Sequence, residues 1–105
     1  MANTPMIFQL EIGRTKAGSV RLHFHPRPPL RSFYGHERAL SAFVYTLAAE
    51  LEGRSEQIHA DWAISPDPSS RHLDIETSEA AEVDDAQDFL MAALVELGLD
   101  ELAIR

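Results

Sequence analysis

The chain has 105 residues and no cysteine. This absence excludes disulfide bridges, cysteine-ligated zinc and thiolate chemistry, and it fits a reducing compartment. No apolar run approaches the roughly 18 residues of a membrane span, and residues 1–5 lack the basic and apolar pattern of a signal peptide. We therefore expect a cytoplasmic protein that does not enter a membrane.

Glycine is also scarce, and its positions are scattered. The five glycines do not form a glycine-rich phosphate-binding loop. No Gly-x-Ser-x-Gly motif occurs, and His36-Glu37 lacks the second histidine of a His-Glu-x-x-His zinc helix. We therefore assign no catalytic residue, metal ligand or cofactor, and we predict a protein that is not an enzyme.

Basic residues are few and unevenly distributed. Nine Lys and Arg stand against 17 Asp and Glu, for a net charge of −8. Residues 1–49 hold six basic and two acidic residues, whereas residues 50–105 hold three basic and fifteen acidic residues. A pI near 4.9 argues against nucleic-acid binding, which needs clustered Lys and Arg. It favours a basic protein partner, for example an enzyme that itself binds nucleic acid, or no special partner.

Length and composition predict a single domain over residues 1–105, because 45% hydrophobic residues suffice for one core. The first half predicts a hairpin and a helix. The apolar residues of its two strands alternate with polar ones, at Phe8, Leu10, Ile12, Val20, Leu22 and Phe24. The proline-rich segment 26–35 predicts an irregular loop. A helix then begins near His36 and ends at Gly53.

The second half repeats this order. Ala60, Trp62 and Ile64 predict a third strand, residues 65–70 a turn, and Leu73 with Ile75 a fourth strand. Ser78 is the predicted N-cap of a second helix that ends at Gly98. Residues 99–105 fit either a short helical turn or an edge strand. We predict an α+β two-layer sandwich, ββαββα, with a four-stranded mostly antiparallel sheet and two helices on one face.

The other face of this predicted sheet carries four of the five histidines. They are His23, His25, His59 and His72, and Asp61 and Asp74 accompany the last two at i, i+2 spacing. Three interpretations stay open: a solvated polar face, a docking surface that responds to pH, and a metal or catalytic centre. The last is our alternative function, a small histidine-based metal-dependent enzyme or ligand-binding domain.

Two further segments are strongly charged. Six acids fall within thirteen residues, at Glu76, Glu79, Glu82, Asp84, Asp85 and Asp88. Such a segment is usually a solvated helix face, but it also suits contact with a basic groove. The other charged segment is basic and aromatic, and it includes Arg27, Arg31 and Tyr34. Such residues could bind single-stranded nucleic acid by stacking on its bases and contacting its phosphates. The predicted exposed face of the sheet, however, offers histidines and acids instead of aromatic residues.

These patterns predict a small acidic, non-enzymatic protein-binding module. We expect an inhibitor of the immunity, antitoxin or anti-defence type that docks its acidic helix on a basic surface, by analogy of size and charge alone. The polar-face histidines and the 26–35 loop are predicted as second contacts. A homodimer formed through sheet faces or strand edges also stays open.

Overall fold

Four strands and two long helices follow one another in the computed structural model, which describes residues 7–103. The elements are β1 (Phe8–Arg14), β2 (Val20–Pro26), α1 (Glu37–Gln57), β3 (Ala63–Asp67), β4 (His72–Glu76) and α2 (Val83–Glu96). Short 3₁₀ turns cover Pro68–Ser70, Ala80–Glu82 and Asp100–Leu102. The predicted order ββαββα is confirmed.

The strands form one antiparallel sheet in the order β1-β2-β4-β3. The second hairpin therefore joins the first through β4, and β1 and β3 are the edge strands. Leu22 of β2 lies opposite Leu73 of β4, so the apolar alternation of both hairpins falls on the same side of the sheet. The predicted α+β fold class is confirmed.

A single hydrophobic core joins this apolar face to both helices. The strands contribute Phe8, Leu10, Val20, Leu22, Phe24, Leu73 and Ile75. The helices contribute Leu40, Val44, Leu47, Ala48 and Leu51 from α1, and Val83, Ala86, Leu90, Ala93 and Leu94 from α2. Because both helices turn their apolar stripes to this one core, the opposite sheet face is left to polar residues.

Helix α1 runs past Gly53 and ends at Gln57, so the prediction that Gly53 ends the helix is wrong. A glycine inside a helix costs about 1 kcal/mol relative to alanine. The helix nevertheless continues for one more turn, in which Ser55 is buried and donates from Oγ to the Glu52 carbonyl at 2.9 Å. The extra turn delays the next strand.

Strand β3 consequently begins at Ala63, later than predicted, and residues 58–62 form the connection between α1 and β3. Residues 65–67, predicted as part of a turn, belong to β3. Pro66 is tolerated there because β3 is an edge strand that pairs only with β4. The connection to β4 shrinks to Pro68–Ser70 and Arg71, and the Asp67 carboxylate accepts a hydrogen bond from the Ser70 amide at 3.3 Å.

The remaining loop and terminal predictions are confirmed in part. Residues 27–36, all of them described, contain no helix or strand, and Phe33 is buried there. Ser78 does not cap α2 as predicted, because a 3₁₀ turn comes first and the Ser78 hydroxyl donates to the Glu82 carboxylate at 3.0 Å. Gly98 ends α2 at a φ of 72°.

The C-terminal tail combines both predicted alternatives. Asp100–Leu102 is a 3₁₀ turn, and Ala103 then forms a single parallel bridge with Leu10 of β1. Residues 104 and 105, which the strand alternative included, lie outside the described residues, as do residues 1–5.

Candidate functional site

The strand order brings a row of polar residues across all four strands. Glu11 of β1 lies opposite His23 of β2, His23 lies opposite His72 of β4, and His72 lies opposite Asp67 of β3. The rings of His23 and His25 are 5.8 Å apart between centroids, and those of His23 and His72 are 6.2 Å apart. The structure therefore places three of the four predicted histidines together on the polar face.

Charges on this polar face are paired across the strands. Arg21 donates from Nε to Asp74 Oδ1 at 2.8 Å and from Nη2 to Asp74 Oδ2 at 2.9 Å. These hydrogen bonds raise the pKa of Arg21, and Asp74 itself is only 9% exposed. His25 Nε2 lies 2.9 Å from Glu11 Oε1. The face thus neutralises much of its own charge.

Two histidines of the row sit in different surroundings. His72 lies between carboxylates, with Nδ1 at 3.7 Å from Asp74 Oδ1 and Nε2 at 4.0 Å from Asp67 Oδ2. Its buried Nδ1 makes no hydrogen bond within residues 7–103. Partial burial lowers the pKa of His23, and the neighbouring His25 and Arg21 lower it further. These surroundings favour the neutral form of His23 over its charged form.

The fourth histidine, His59, is not on the polar face, and that prediction is wrong. It lies in the exposed loop after α1 with a φ of 56°, because α1 ends later than its sequence indicated. Asp61 is displaced with it. Among residues 7–103, no three His, Asp or Glu side chains are placed to hold a metal ion. The histidine-based enzyme or ligand-binding domain stays a prediction.

We use "acidic surface" for the six acids predicted as the leading contact. They are Glu76, Glu79, Glu82, Asp84, Asp85 and Asp88, all exposed except the half-buried Glu82. Within the described chain, Asp84 alone of the six forms an ion pair, with Arg14 of β1. Arg14 also donates from Nε to Gln87 Oε1 at 2.9 Å. Five of the six carboxylates thus have no basic partner in residues 7–103.

A groove of about 600 Å³ runs between this surface and the loop after α1. We call it the acidic groove. Its apolar lining comes from Ile58, Ala60, Trp62 and Phe89, and its polar lining comes from His59, Asp61, Glu82, Asp85 and Asp88. The hydrophobic pattern of the sequence gives no sign that residues 58–62 line this groove, because it does not show that α1 ends as late as Gln57.

A second groove, of about 680 Å³, lies between the 26–35 loop, the start of α1 and the turn after β3. Its wall includes Tyr34, which is 86% exposed, and Arg71, whose guanidinium lies 5.9 Å from the centre of the Phe33 ring. Of the other predicted loop contacts, Arg31 is exposed and Arg27 is half-buried. This groove shares no lining residue with the acidic groove.

We compared the chain with known protein families, proteins and structures. Protein-family models, curated proteins and solved structures gave no match to the chain. Within residues 7–103, neither α1 nor α2 is long and apolar enough to cross a membrane. The functional argument therefore rests on the surfaces themselves.

Proposed function

We propose that this protein is a non-enzymatic binding module that docks its acidic surface on a basic surface of a partner protein. In this proposal it acts as a cytoplasmic inhibitor of the immunity, antitoxin or anti-defence type. One observation carries the proposal: five exposed acids fall within the thirteen residues from Glu76 to Asp88, and Asp84 alone of the acidic surface is ion-paired within residues 7–103. Uncompensated charge of one sign attracts an oppositely charged partner and orients it.

The fold itself gains little from this charge. Asp84 and Asp85 lie in the first turn of α2, where the helix dipole favours carboxylates. Asp88 is one turn further on, so it repels Asp84 at i, i+4 spacing without that benefit. The apolar stripe of α2 faces the core and needs none of these acids. A gain from binding would account for charge that the folded chain does not use.

The chemistry of the surface also indicates the class of partner. Clustered carboxylates carry negative charge into a basic groove as nucleic-acid phosphates do, so an enzyme that binds nucleic acid offers a complementary surface. Binding of this kind depends strongly on salt. We therefore place the basic partner among nucleic-acid-binding proteins.

The test is capture of partners by the untagged, immobilised protein at low salt, with elution by rising salt. The test variant carries Asp85→Lys and Asp88→Lys, and it leaves Asp84 intact because Asp84 pairs with Arg14. The control carries Glu52→Lys and Glu56→Lys, exposed positions on α1 that give the same change in net charge. Wild type and control should capture the same basic proteins and the test variant should not.

Equal capture by the test variant, at the same eluting salt, would contradict the proposal. So would captured proteins that resist elution by salt, because docking through exposed charges is screened as ionic strength rises.

A further inference from the structure

We propose that the acidic groove binds an arginine side chain presented by the basic partner. The inference rests on the proposed function and deepens it, because it names the group that the partner inserts and the place where it is held. It is carried by two features of one groove, an apolar aromatic floor and an uncompensated acidic rim.

The apolar floor of the groove is formed by residues just after α1 and by one residue of α2, namely Ile58, Ala60, Trp62 and Phe89. Ile58 is 57% exposed, and the rings of Trp62 and Phe89 meet edge to face with centroids 5.2 Å apart. Both rings are only partly buried against the core. The groove therefore offers apolar surface to the methylene stem of a long side chain and aromatic surface to its charged head.

The rim supplies negative charge without an internal counter-charge. Asp61, Glu82, Asp85 and Asp88 line the groove, and no Lys or Arg of residues 7–103 lines it with them. Glu82 accepts a hydrogen bond from Ser78, whereas the side chains of the three aspartates make no hydrogen bond or ion pair within the described chain. Charge complementarity thus requires a cationic occupant.

Arginine fits this combination better than lysine or a metal ion. Its planar guanidinium stacks on aromatic rings, pairs with carboxylates through two hydrogen bonds, and loses water more easily than an ammonium group. A metal ion would leave the aromatic floor unused, and no three acidic or histidine side chains in residues 7–103 are placed to hold one.

Trp62 provides a direct reporter, because it is the one tryptophan of the chain. Binding of a capped peptide of alternating arginine and serine is measured by titration calorimetry at low salt, and Trp62 fluorescence is followed in a parallel titration. A matched peptide carries lysine in place of arginine. We expect a saturable change in Trp62 emission and an affinity for the arginine peptide roughly fivefold higher than for the lysine peptide.

Paired variants separate the groove from the acidic surface as a whole. Asp85→Asn with Asp88→Asn removes two rim acids, whereas Glu76→Gln with Glu79→Gln removes two acids of the acidic surface that do not line the groove. Both pairs change the net charge equally, and thermal unfolding is used to check that both variants fold. We expect the first pair to weaken binding of the arginine peptide roughly fivefold to tenfold and the second by less than about twofold.

Three results would overturn the inference: equal losses in the two paired variants, unchanged Trp62 emission at saturation, or equal affinity for the two peptides. Each would leave the proposed function standing, because the peptide would still bind the acidic surface. If neither peptide bound the wild-type protein at low salt, the proposed function would fail as well.

Discussion

The polar face of the sheet and the acidic surface are both rich in charged residues, but they differ in how many of those charges are paired. On the polar face, Asp74 is nearly buried and receives two hydrogen bonds from Arg21, and Glu11 meets His25. On the acidic surface, Asp84 alone is ion-paired within residues 7–103. Compensated charge holds a fold together, whereas uncompensated charge is available to another molecule.

The difference has a structural cause. In an antiparallel sheet, directly opposite side chains on neighbouring strands lie about 5 Å apart, and the register sets Arg21 beside Asp74 in this way. Glu11 reaches His25 on the diagonal between β1 and β2. On α2 the neighbours of Asp84 and Asp85 at i+3 and i+4 include Asp88, another acid. The sheet pairs its charges by register, and the helix gathers like charges on one exposed side.

The largest expected effect comes from breaking the compensated pair. Asp74→Ala should lower the free energy of unfolding by about 2 kcal/mol, because it removes two charge-assisted hydrogen bonds that the nearly buried Asp74 carboxylate accepts from Arg21. Asp88→Ala, the matched change on the acidic surface, should stay within about 0.5 kcal/mol of wild type. Urea unfolding measures both. Equal losses at the two positions would show that the two regions do not differ in this way.

A smaller effect should appear in the dependence of stability on pH. The folded protein lowers the pKa of His23 from its ordinary value of 6.5 through burial and the positive charges of His25, Arg21 and His72, against the opposing effect of Glu11. The unfolded chain therefore binds the proton more readily. The contribution of neutral His23 to the free energy of unfolding is therefore complete above about pH 6.5. It is lost as the pH falls from there through the lower pKa of His23 in the folded state.

The unfolding temperature of the wild-type protein should therefore fall as the pH is lowered from about 7 to about 5, and His23→Gln should make this fall smaller. His59→Gln serves as the control, because His59 is exposed and lies away from the polar face. A decline that is the same in His23→Gln as in wild type would show that His23 does not cause it.

The smallest expected effect concerns Arg14, whose side chain links the basic first hairpin to Asp84 of the acidic surface. Arg14→Ala removes the exposed ion pair with Asp84 and the hydrogen bond to Gln87, and it should cost about 0.5 kcal/mol in urea unfolding. It also frees Asp84 and removes a nearby positive charge, so the arginine peptide should bind slightly more tightly. A loss above roughly 2 kcal/mol would mean that the acidic surface is tied into the fold.

Much of the fold follows from local sequence. Alternation at Phe8, Leu10, Val20 and Leu22 identifies the first hairpin, since period-two burial needs no knowledge of the partner strand. The acidic surface was also visible in the sequence, because charges on an exposed helix face need no long-range contact to be recognised. The acidic groove was not visible in the sequence, since five of its nine lining residues are residues 58–62.

The sequence by itself determined the order of the strands and helices, the apolar sides of β1, β2, β4 and the two helices, and that negative charge gathers near the start of α2. The tertiary structure alone decided that β2 pairs with β4, which brings His23 beside His72, and that α1 passes Gly53, which moves His59 and Asp61 to the acidic groove. The physical reason is the same in both cases. Burial of distant residues in a shared core outweighs local preferences of about 1 kcal/mol, and such burial cannot be read from neighbours along the chain.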